Sequence, residues 1–263
     1  MIRLPVWMVT RALTSADSAS CHAQQVHTNM THTVALLGTP QPMSQLLLCA
    51  VDCEGTGVKV QPRWRDQATG MRATVSHQVD FDRVFVADDA VIGPPGSYWT
   101  SQVQARYLPQ FSSNFQGVGA HLFDYAVNYL RERRRTSDPY IQHHLAEAKV
   151  MLVTAELLLG ETAQLYRTRR YPEAFDHSRM LRAYSQMAVQ RVIDLIQAAC
   201  GSSIYMEPNP ISRIMRDWQF YSRHENLDLI LIAVGRTIFE LGGEGSPEAF
   251  GFGSLRDRAR ARS

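Results

Sequence analysis

A charged and aromatic stretch near the C-terminus, RDWQFYSRHENLDLI at residues 216–230, holds the residues best suited to acid–base chemistry. His224 can give or take a proton near neutral pH, whereas Glu225 could act as a base only if burial raised its pKa. On one continuous helix, His224 and Asp228 would share a face and Glu225 would point about 100° away. Only one of His224 and Glu225 is then expected to line a given pocket, and the pattern by itself favours exposed helix charges.

Two groups of small polar residues could bind a ligand. Thr74 and Ser76 lie on a predicted strand, where their hydroxyls can hydrogen-bond a ligand edge, although pattern alone favours ordinary strand positions. Gly201, Ser202 and Ser203 follow a predicted helix, where backbone and hydroxyl donors can approach a phosphate, or simply cap the helix. No G-x-G-x-x-G pattern follows a strand, so a Rossmann nucleotide site is not indicated.

Composition argues against several classes of protein. The 263 residues carry a net charge of +2, too small to indicate a nucleic-acid partner, and no apolar stretch is long enough to span a membrane. The spacing of Cys21, Cys49, Cys53 and Cys200 does not form a disulfide framework or a zinc motif. We therefore expect no metal, free structural thiols and a cytoplasmic location.

Two composition regimes predict an α+β chain: a partial antiparallel β-domain followed by an antiparallel four-helix bundle. Alternating β-formers such as ATVSHQVDFDRVFV, separated by turn signals, place the β-domain at residues 33–97. Helical spacing after Pro109 and short connections place the bundle at residues 98–245, with a last helix from about 211 to 241. Residues 1–32 are poorly specified, and residues 246–263 read as a basic flexible tail.

Two segments resemble the acyl-CoA dehydrogenase superfamily. They are WRDQATGMRATVSHQVDFDRVFVADDAVIG at residues 64–93 and QAACGSSIYMEPNPISRIMRD at residues 197–217. The resemblance covers roughly residues 35–241 and implies a flavin, FAD or FMN. It further implies a bundle that forms a homo-oligomer, a dimer or a tetramer. Its cofactor-binding residues would be Thr74, Ser76, Arg133, Gln197, Gly201, Ser202 and Ser203.

Within that superfamily, the gapless Ser-rich loop and the Asp138-Pro139 helix start look like the flavin-dependent monooxygenase branch. That branch implies reduced flavin from a partner reductase, a small aromatic substrate, and His224 beside the reacting edge of the flavin, with Asp228 one turn further on. The dehydrogenase branch would instead use Glu225 as base, but its Glu-Gly-Thr motif is absent because Asn226 and Leu227 follow.

The superfamily normally begins with a helical domain, and nothing in residues 1–32 resembles it. We therefore expect either a fragment or a chain that works with a partner chain. A third interpretation follows: an inactive bundle that serves as an assembly subunit.

Overall fold

The computed structural model describes residues 34–35, 47–96, 103–206, 209–224 and 226–240. Most of this chain is a bundle of long antiparallel helices. Its helices are α1 (Trp64–Gln67), which precedes the bundle, then α2 (Val103–Glu132), α3 (Pro139–Arg167), α4 (Tyr171–Cys200), α5 (Ile211–Tyr221) and α6 (Leu227–Glu240). Helix α4 is central and packs against α2, α3 and α6. The predicted fold class is confirmed. None of the described helices is both long and apolar enough to cross a membrane.

The helix ends follow local chemistry. Asp138 caps α3, since its carboxylate accepts from the backbone N–H groups of Tyr140 (3.0 Å) and Ile141 (3.3 Å), and Pro139 occupies the first turn. At the same end of the bundle Gly201 ends α4 with a φ of 71°, a conformation that favours glycine. Helix α2 starts earlier than predicted because Pro109 lies in its second turn, where it removes only one backbone hydrogen bond.

The centre of the bundle contains buried polar residues as well as apolar ones. The Gln116 amide on α2 donates to the Ala155 carbonyl oxygen (3.0 Å) and to the Ser185 hydroxyl (3.1 Å), so it joins three helices. Arg182 on α4 is fully buried, and its guanidinium carbon lies 4.3 Å from the centroid of the Phe115 ring. These contacts fix the side of α2 on which α5 packs.

The predicted last helix is in fact two helices. Helix α5 ends at Tyr221, and α6 begins at Leu227, where the Asn226 side chain accepts a hydrogen bond from the Asp228 N–H at 2.9 Å. The expectation that His224 and Asp228 share a helical face is therefore wrong. The Asn226 side chain accepts a hydrogen bond from the backbone at the break, which favours the start of a new helix there. The apolar residues of 227–240 therefore lie on a helix separate from α5.

The β region is smaller than predicted. Four short strands are described: β1 (Val34–Ala35), β2 (Cys49–Ala50), β3 (Val58–Gln61) and β4 (Gln78–Phe81). They form two antiparallel pairs, β1–β2 and β3–β4, and the second pair aligns Val58 with Phe81. The strand predicted over residues 73–86 is cut at both ends because Val75 and Arg83 have φ values of 50°. Past Phe81 the burial still alternates, since Val84 and Val86 are partly buried and Phe85 is 88% exposed, although these residues form no strand.

One turn of the β region is held against α5. The Met71 N–H donates to the Asp217 carboxylate at 2.7 Å, across 146 residues of sequence, and Arg213 donates to the other carboxylate oxygen at 3.3 Å. The preceding Gly70 lies so close that a Cβ there would be 2.2 Å from the Arg216 carbonyl oxygen. The turn and the helix therefore meet backbone to backbone, with a buried carboxylate as the connecting group.

We expect Gly70→Ala to lower the free energy of unfolding by about 1–3 kcal/mol, because the added methyl group cannot fit against the α5 backbone. Gly235→Ala is the matched control, since Gly235 lies inside α6 with open space around the Cβ position. That change should raise stability by about 0.5–1 kcal/mol through helix propensity. Urea titration of both variants measures the two values, and equal midpoints for Gly70→Ala and the unchanged protein would contradict the close packing.

We expect Asp217→Ala to lower the free energy of unfolding by about 1–3 kcal/mol, because it leaves the buried Met71 N–H without an acceptor. Asp217→Asn should lose less, since the amide oxygen can still accept that hydrogen bond. Chemical unfolding compares the two variants, and a loss for Asp217→Asn as large as that for Asp217→Ala would show that the charge, rather than the hydrogen bond, carries the contact.

Candidate functional site

A cavity of about 380 Å³ opens between the Met71–Ser76 turn and the C-terminal half of α5. The residues that line it are Trp64, Met71, Thr74, Ser76, Gln219, Phe220, Tyr221, Arg223 and His224. Three side chains predicted from the sequence, Thr74, Ser76 and His224, therefore lie around one cavity although they come from opposite ends of the chain. Its volume lies within the range of small-molecule sites.

Thr74 and Ser76 do not lie on a strand, contrary to the sequence prediction. Thr74 ends a 3-10 turn (Arg72–Thr74) that is bounded by left-handed residues at Met71 and Val75, so the chain cannot extend there. The Thr74 hydroxyl donates to the Met71 carbonyl oxygen at 2.8 Å, and the Ser76 hydroxyl donates to Thr74 at 3.1 Å. The turn thus presents two linked hydroxyls to the cavity.

Aromatic side chains form one wall of the cavity. The Trp64 indole N–H donates to the Met71 carbonyl oxygen at 3.0 Å, and the Trp64 backbone N–H donates to Nδ1 of His77 at 3.2 Å. The Trp64 and Phe220 rings meet edge to face, with centroids 5.0 Å apart. A wall of this kind suits a planar conjugated ligand.

His224 lies in the turn that follows α5. Its ring centroid is 5.1 Å from that of Phe111 and 6.4 Å from that of Tyr221. Part of the imidazole surface reaches solvent, but the surrounding protein still lowers its pKa by desolvation, and the positive charge of Arg182 acts in the same direction. His224 is therefore neutral at pH 7, able to donate from one ring nitrogen and accept at the other.

A hydrogen bond from the buried Asn114 amide to the Tyr221 hydroxyl, at 2.8 Å, holds the aromatic ring against which His224 packs. Phe115 contacts the same tyrosine edge to face, with centroids 5.1 Å apart, and carries Arg182 on its other side. The back of the site therefore belongs to the rigid interior of the bundle.

Of the two acidic residues proposed from sequence, the structure describes only Asp228. Glu225 falls outside the described residues. Asp228 is exposed in the first turn of α6, and it is absent from the lining of the cavity. The break between α5 and α6 explains why it does not accompany His224.

The remaining predicted residues form a second group at the far ends of α2 and α4. Tyr129 hydrogen-bonds the Ser203 hydroxyl, and the Arg133 guanidinium carbon lies 3.6 Å from the centroid of the Tyr129 ring. Gln197 donates to the Tyr205 hydroxyl. Gly201 and Ser202 are exposed beside them. The structure thus brings Arg133 and the Gly-Ser-Ser loop together, apart from the residues that line the cavity.

Cys200 shows that this second group has a dry interior. Burial raises the pKa of its thiol to about 11, although nearby Arg133 and Arg135 act in the opposite direction. The thiol is therefore protonated at neutral pH and is not a nucleophile. At this end of the bundle, the exposed groups that could bind a polar ligand are the Ser202 hydroxyl and the Arg133 guanidinium.

Sequence reasoning missed most of the cavity lining. Trp64, Met71, Gln219 and Arg223 were not proposed as site residues, because their positions depend on the contact between Met71 and Asp217. The aromatic run WQFY beside a charged stretch was the available signal for the α5 wall.

Part of the bundle is similar to a known family of domains. Residues 114–229 match the family model described as the acyl-CoA dehydrogenase C-terminal domain. A search of curated proteins gave no match to this chain.

Several solved structures share the fold. Dibenzothiophene monooxygenase from Paenibacillus sp. A11-2 superposes with a TM-score of 0.68 at 19% identity, covering 81% of this chain and 61% of that enzyme. XiaF from Streptomyces sp., solved with FADH2 and glycerol, gives 0.65 at 20% identity over 74% of this chain and 56% of its own. A probable acyl-CoA dehydrogenase from Mycobacterium abscessus gives 0.68 at 19% identity over 79% and 56%.

The Paenibacillus enzyme has also been solved with FMN and indole, and that structure superposes with a TM-score of 0.66 at 18% identity over 81% and 60%. This chain spans about three fifths of the length of these solved structures. At identities below 25%, these solved structures show a shared fold. Residues 114–229, less than half of the chain, are therefore similar to the C-terminal domain of acyl-CoA dehydrogenases, and the chain shares the fold of that domain.

Proposed function

We propose that this chain is a flavin-dependent oxidoreductase, and specifically a monooxygenase that uses reduced flavin and O2 on a small aromatic substrate. The observation that carries the proposal is the convergence of the Thr74 and Ser76 hydroxyls with a neutral His224 around one aromatic-walled cavity. Two proteins of the same fold support it, since one was solved with FMN and indole and another with FADH2. The cofactor proposed is FAD or FMN.

The cavity fits the ring of such a cofactor. Its aromatic wall of Trp64 and Phe220 suits a planar fused ring, and the hydroxyls of Thr74 and Ser76 suit the polar edge of that ring. Arg133 and the exposed Ser202 would suit phosphate. They lie at the other end of the bundle, about 30 Å along α2 from the Phe111 ring beside His224, so they would not hold the phosphate of an FMN whose ring lies in this cavity. When bound, reduced flavin supplies the electrons that activate O2.

His224 would hold or move a proton at the edge of the ring. A neutral imidazole can donate a hydrogen bond to a bound oxygen species and can also take the proton of a substrate hydroxyl. Its packing against Phe111 and Tyr221 restricts the ring orientation and removes water from one side. The residue therefore favours transfer of oxygen to substrate over its loss as hydrogen peroxide.

Two other functions compete with this proposal. An acyl-CoA dehydrogenase would use Glu225 as base, and the mycobacterial relative shares the fold. An assembly subunit would bind no flavin. The proposed monooxygenase further needs a separate flavin reductase as partner, and the buried thiols of Cys49 and Cys200 support a reducing cytoplasm.

Flavin titration and anaerobic mixing separate these functions. A monooxygenase should bind reduced FMN or FAD in fluorescence or absorbance titrations and consume O2, and it should leave oxidised flavin unchanged when mixed anaerobically with acyl-CoA. Bleaching of oxidised flavin by acyl-CoA would establish the dehydrogenase. Failure to bind either flavin in either redox state would establish the assembly subunit.

We expect His224→Ala to lower the ratio of product formed to O2 consumed by about tenfold to a hundredfold, with a matching rise in hydrogen peroxide, because the proton donor beside the ring is lost. His143→Ala is the control, since His143 is an exposed histidine on α3. Hydrogen peroxide release with excess reduced flavin is the measurement. Unchanged coupling in His224→Ala would reject its role while leaving flavin binding intact.

We also propose that the chain forms a homo-oligomer through the exposed face of α3. Five small or apolar residues recur there at alternating spacings of four and three, the pattern of a helix–helix seam. They are Ala146, Val150, Val153, Leu157 and Gly160, named here the α3 stripe. Val150 is 66% exposed and Leu157 is 69% exposed. The stripe is nearly symmetric about Val153, so a second copy can meet it in antiparallel orientation.

Neighbouring side chains extend the α3 stripe. Arg191 of α4 forms an ion pair with Glu147 of α3, with an Nε–Oε1 distance of 2.9 Å, which aligns the two helices. One turn earlier on α4, Met187 is 49% exposed and adds apolar surface beside the stripe. Such a surface is more typical of an interface than of a monomer face.

We expect Leu157→Glu to convert the oligomer to a smaller species, because two carboxylates would be buried at a symmetric contact. Leu229→Glu is the control, since Leu229 is 64% exposed on α6, away from the α3 stripe. Light scattering after size-exclusion chromatography gives the masses. A monomeric unchanged protein, or an equal effect of both variants, would contradict the assignment of the stripe.

A further inference from the structure

The described lining of the cavity carries one positive charge. Of the nine lining residues that the structure describes, Arg223 alone holds a permanent charge, and none of these nine is a carboxylate. The Arg223 side chain, just beyond the end of α5, forms no ion pair with the described residues, whereas Arg213 on α5 is paired with Asp217. A guanidinium that faces a ligand cavity without a carboxylate is available to an anion.

The groups around Arg223 define what kind of anion would fit. Gln219 lies one turn earlier along the chain and also lines the cavity, so an amide and a guanidinium can act together on one polar group. Trp64 and Phe220 supply the apolar part of the lining with rings set edge to face. The cavity thus has an aromatic, apolar part next to the positive charge of Arg223.

We propose that this cavity selects a planar aromatic anion, with Arg223 and Gln219 binding its carboxylate or phenolate oxygen and Trp64 and Phe220 contacting its ring. The proposal deepens the proposed function, on which it rests for the link between this ligand and catalysis. Arg223 is accordingly a specificity-determining residue, distinct from His224, whose proposed task is proton transfer.

Two kinds of ligand could present a planar aromatic anion to this cavity. One is a substrate that carries a carboxylate or a phenolate. The other is the reduced flavin ring itself, which is an anion when it loses its N1 proton. Binding of simple aromatic probes tests for the anion site without turnover, and competition between such a probe and reduced FMN separates the two sources. The inference about charge and the proposed oxidoreductase activity can therefore fail independently.

The test is a titration of the full chain with 2-naphthoate and with 2-naphthamide, which differ in charge but hardly in shape. We expect naphthoate to bind about fivefold more tightly at low salt, the scale of a solvent-accessible ion pair, and the preference to shrink as ionic strength rises. In Arg223→Gln the two affinities should become equal through loss of naphthoate binding, with naphthamide affinity unchanged.

Arg216→Gln is the matched control, since it removes one exposed arginine of α5 that does not line the cavity. It should leave the ratio of the two affinities near that of the unchanged protein. Equal binding of the two probes, no binding of either, or an equal effect of Arg216→Gln would overturn the proposal.

A second titration with FMN present assigns the source. Competition between reduced FMN and naphthoate would place the anionic flavin ring in the cavity, and simultaneous binding would place the substrate there. Either result agrees with a site for an aromatic anion. If FMN does not bind while the naphthoate preference persists, the proposed flavin chemistry fails and the anion site stands.

Discussion

The hydrogen bond from the Met71 N–H to Asp217 is the contact on which the site depends. It joins two segments that are 146 residues apart, and the close approach of Gly70 to the Arg216 carbonyl oxygen leaves no room for a looser arrangement. Without it, the turn that carries Thr74 and Ser76 would have no fixed relation to α5. The cavity is therefore a product of this joint rather than of either segment alone.

The bundle gives that joint a rigid base. Helix α5 presents Trp218 and Tyr221 to the core, where Phe115 contacts both rings, with centroids 4.9 Å and 5.1 Å away. Behind Phe115 the fully buried Arg182 acts on the electrostatics of His224, so a residue that never touches the cavity influences its protonation. The position and the charge of the proposed proton-transfer group are both set from within the bundle.

The sequence predicted those features, such as helix ends, that depend on residues close together in the chain. Ser137 or Asp138 was expected to cap a helix and Gly201 to end one, and Asp138 and Gly201 do so. Of the residues whose helical spacing predicted a buried face on α2, Val118, Leu122, Ala126 and Tyr129 are buried and Tyr125 is partly buried. Two expectations failed because local hydrogen bonds or backbone conformations override side-chain periodicity. Asn226 divides the last helix, and left-handed residues at Met71 and Val75 replace a strand by a turn. The partners of Trp64 and Arg223 in the cavity depend on a long-range contact, which one sequence cannot reveal.

The two partners of the hydrogen bond between Met71 and Asp217 differ in how freely their residue types can vary. On the α5 side the contact needs a side-chain oxygen at position 217, but on the turn side it uses a main-chain N–H, which every residue except proline provides. The side chain at position 71 forms part of the cavity floor and takes no part in the anchoring bond. Ligand preference can therefore drift at this position while the architecture persists, provided that the new residue tolerates a left-handed backbone. Asparagine and aspartate meet that condition most readily, so a polar floor is within reach of a single substitution.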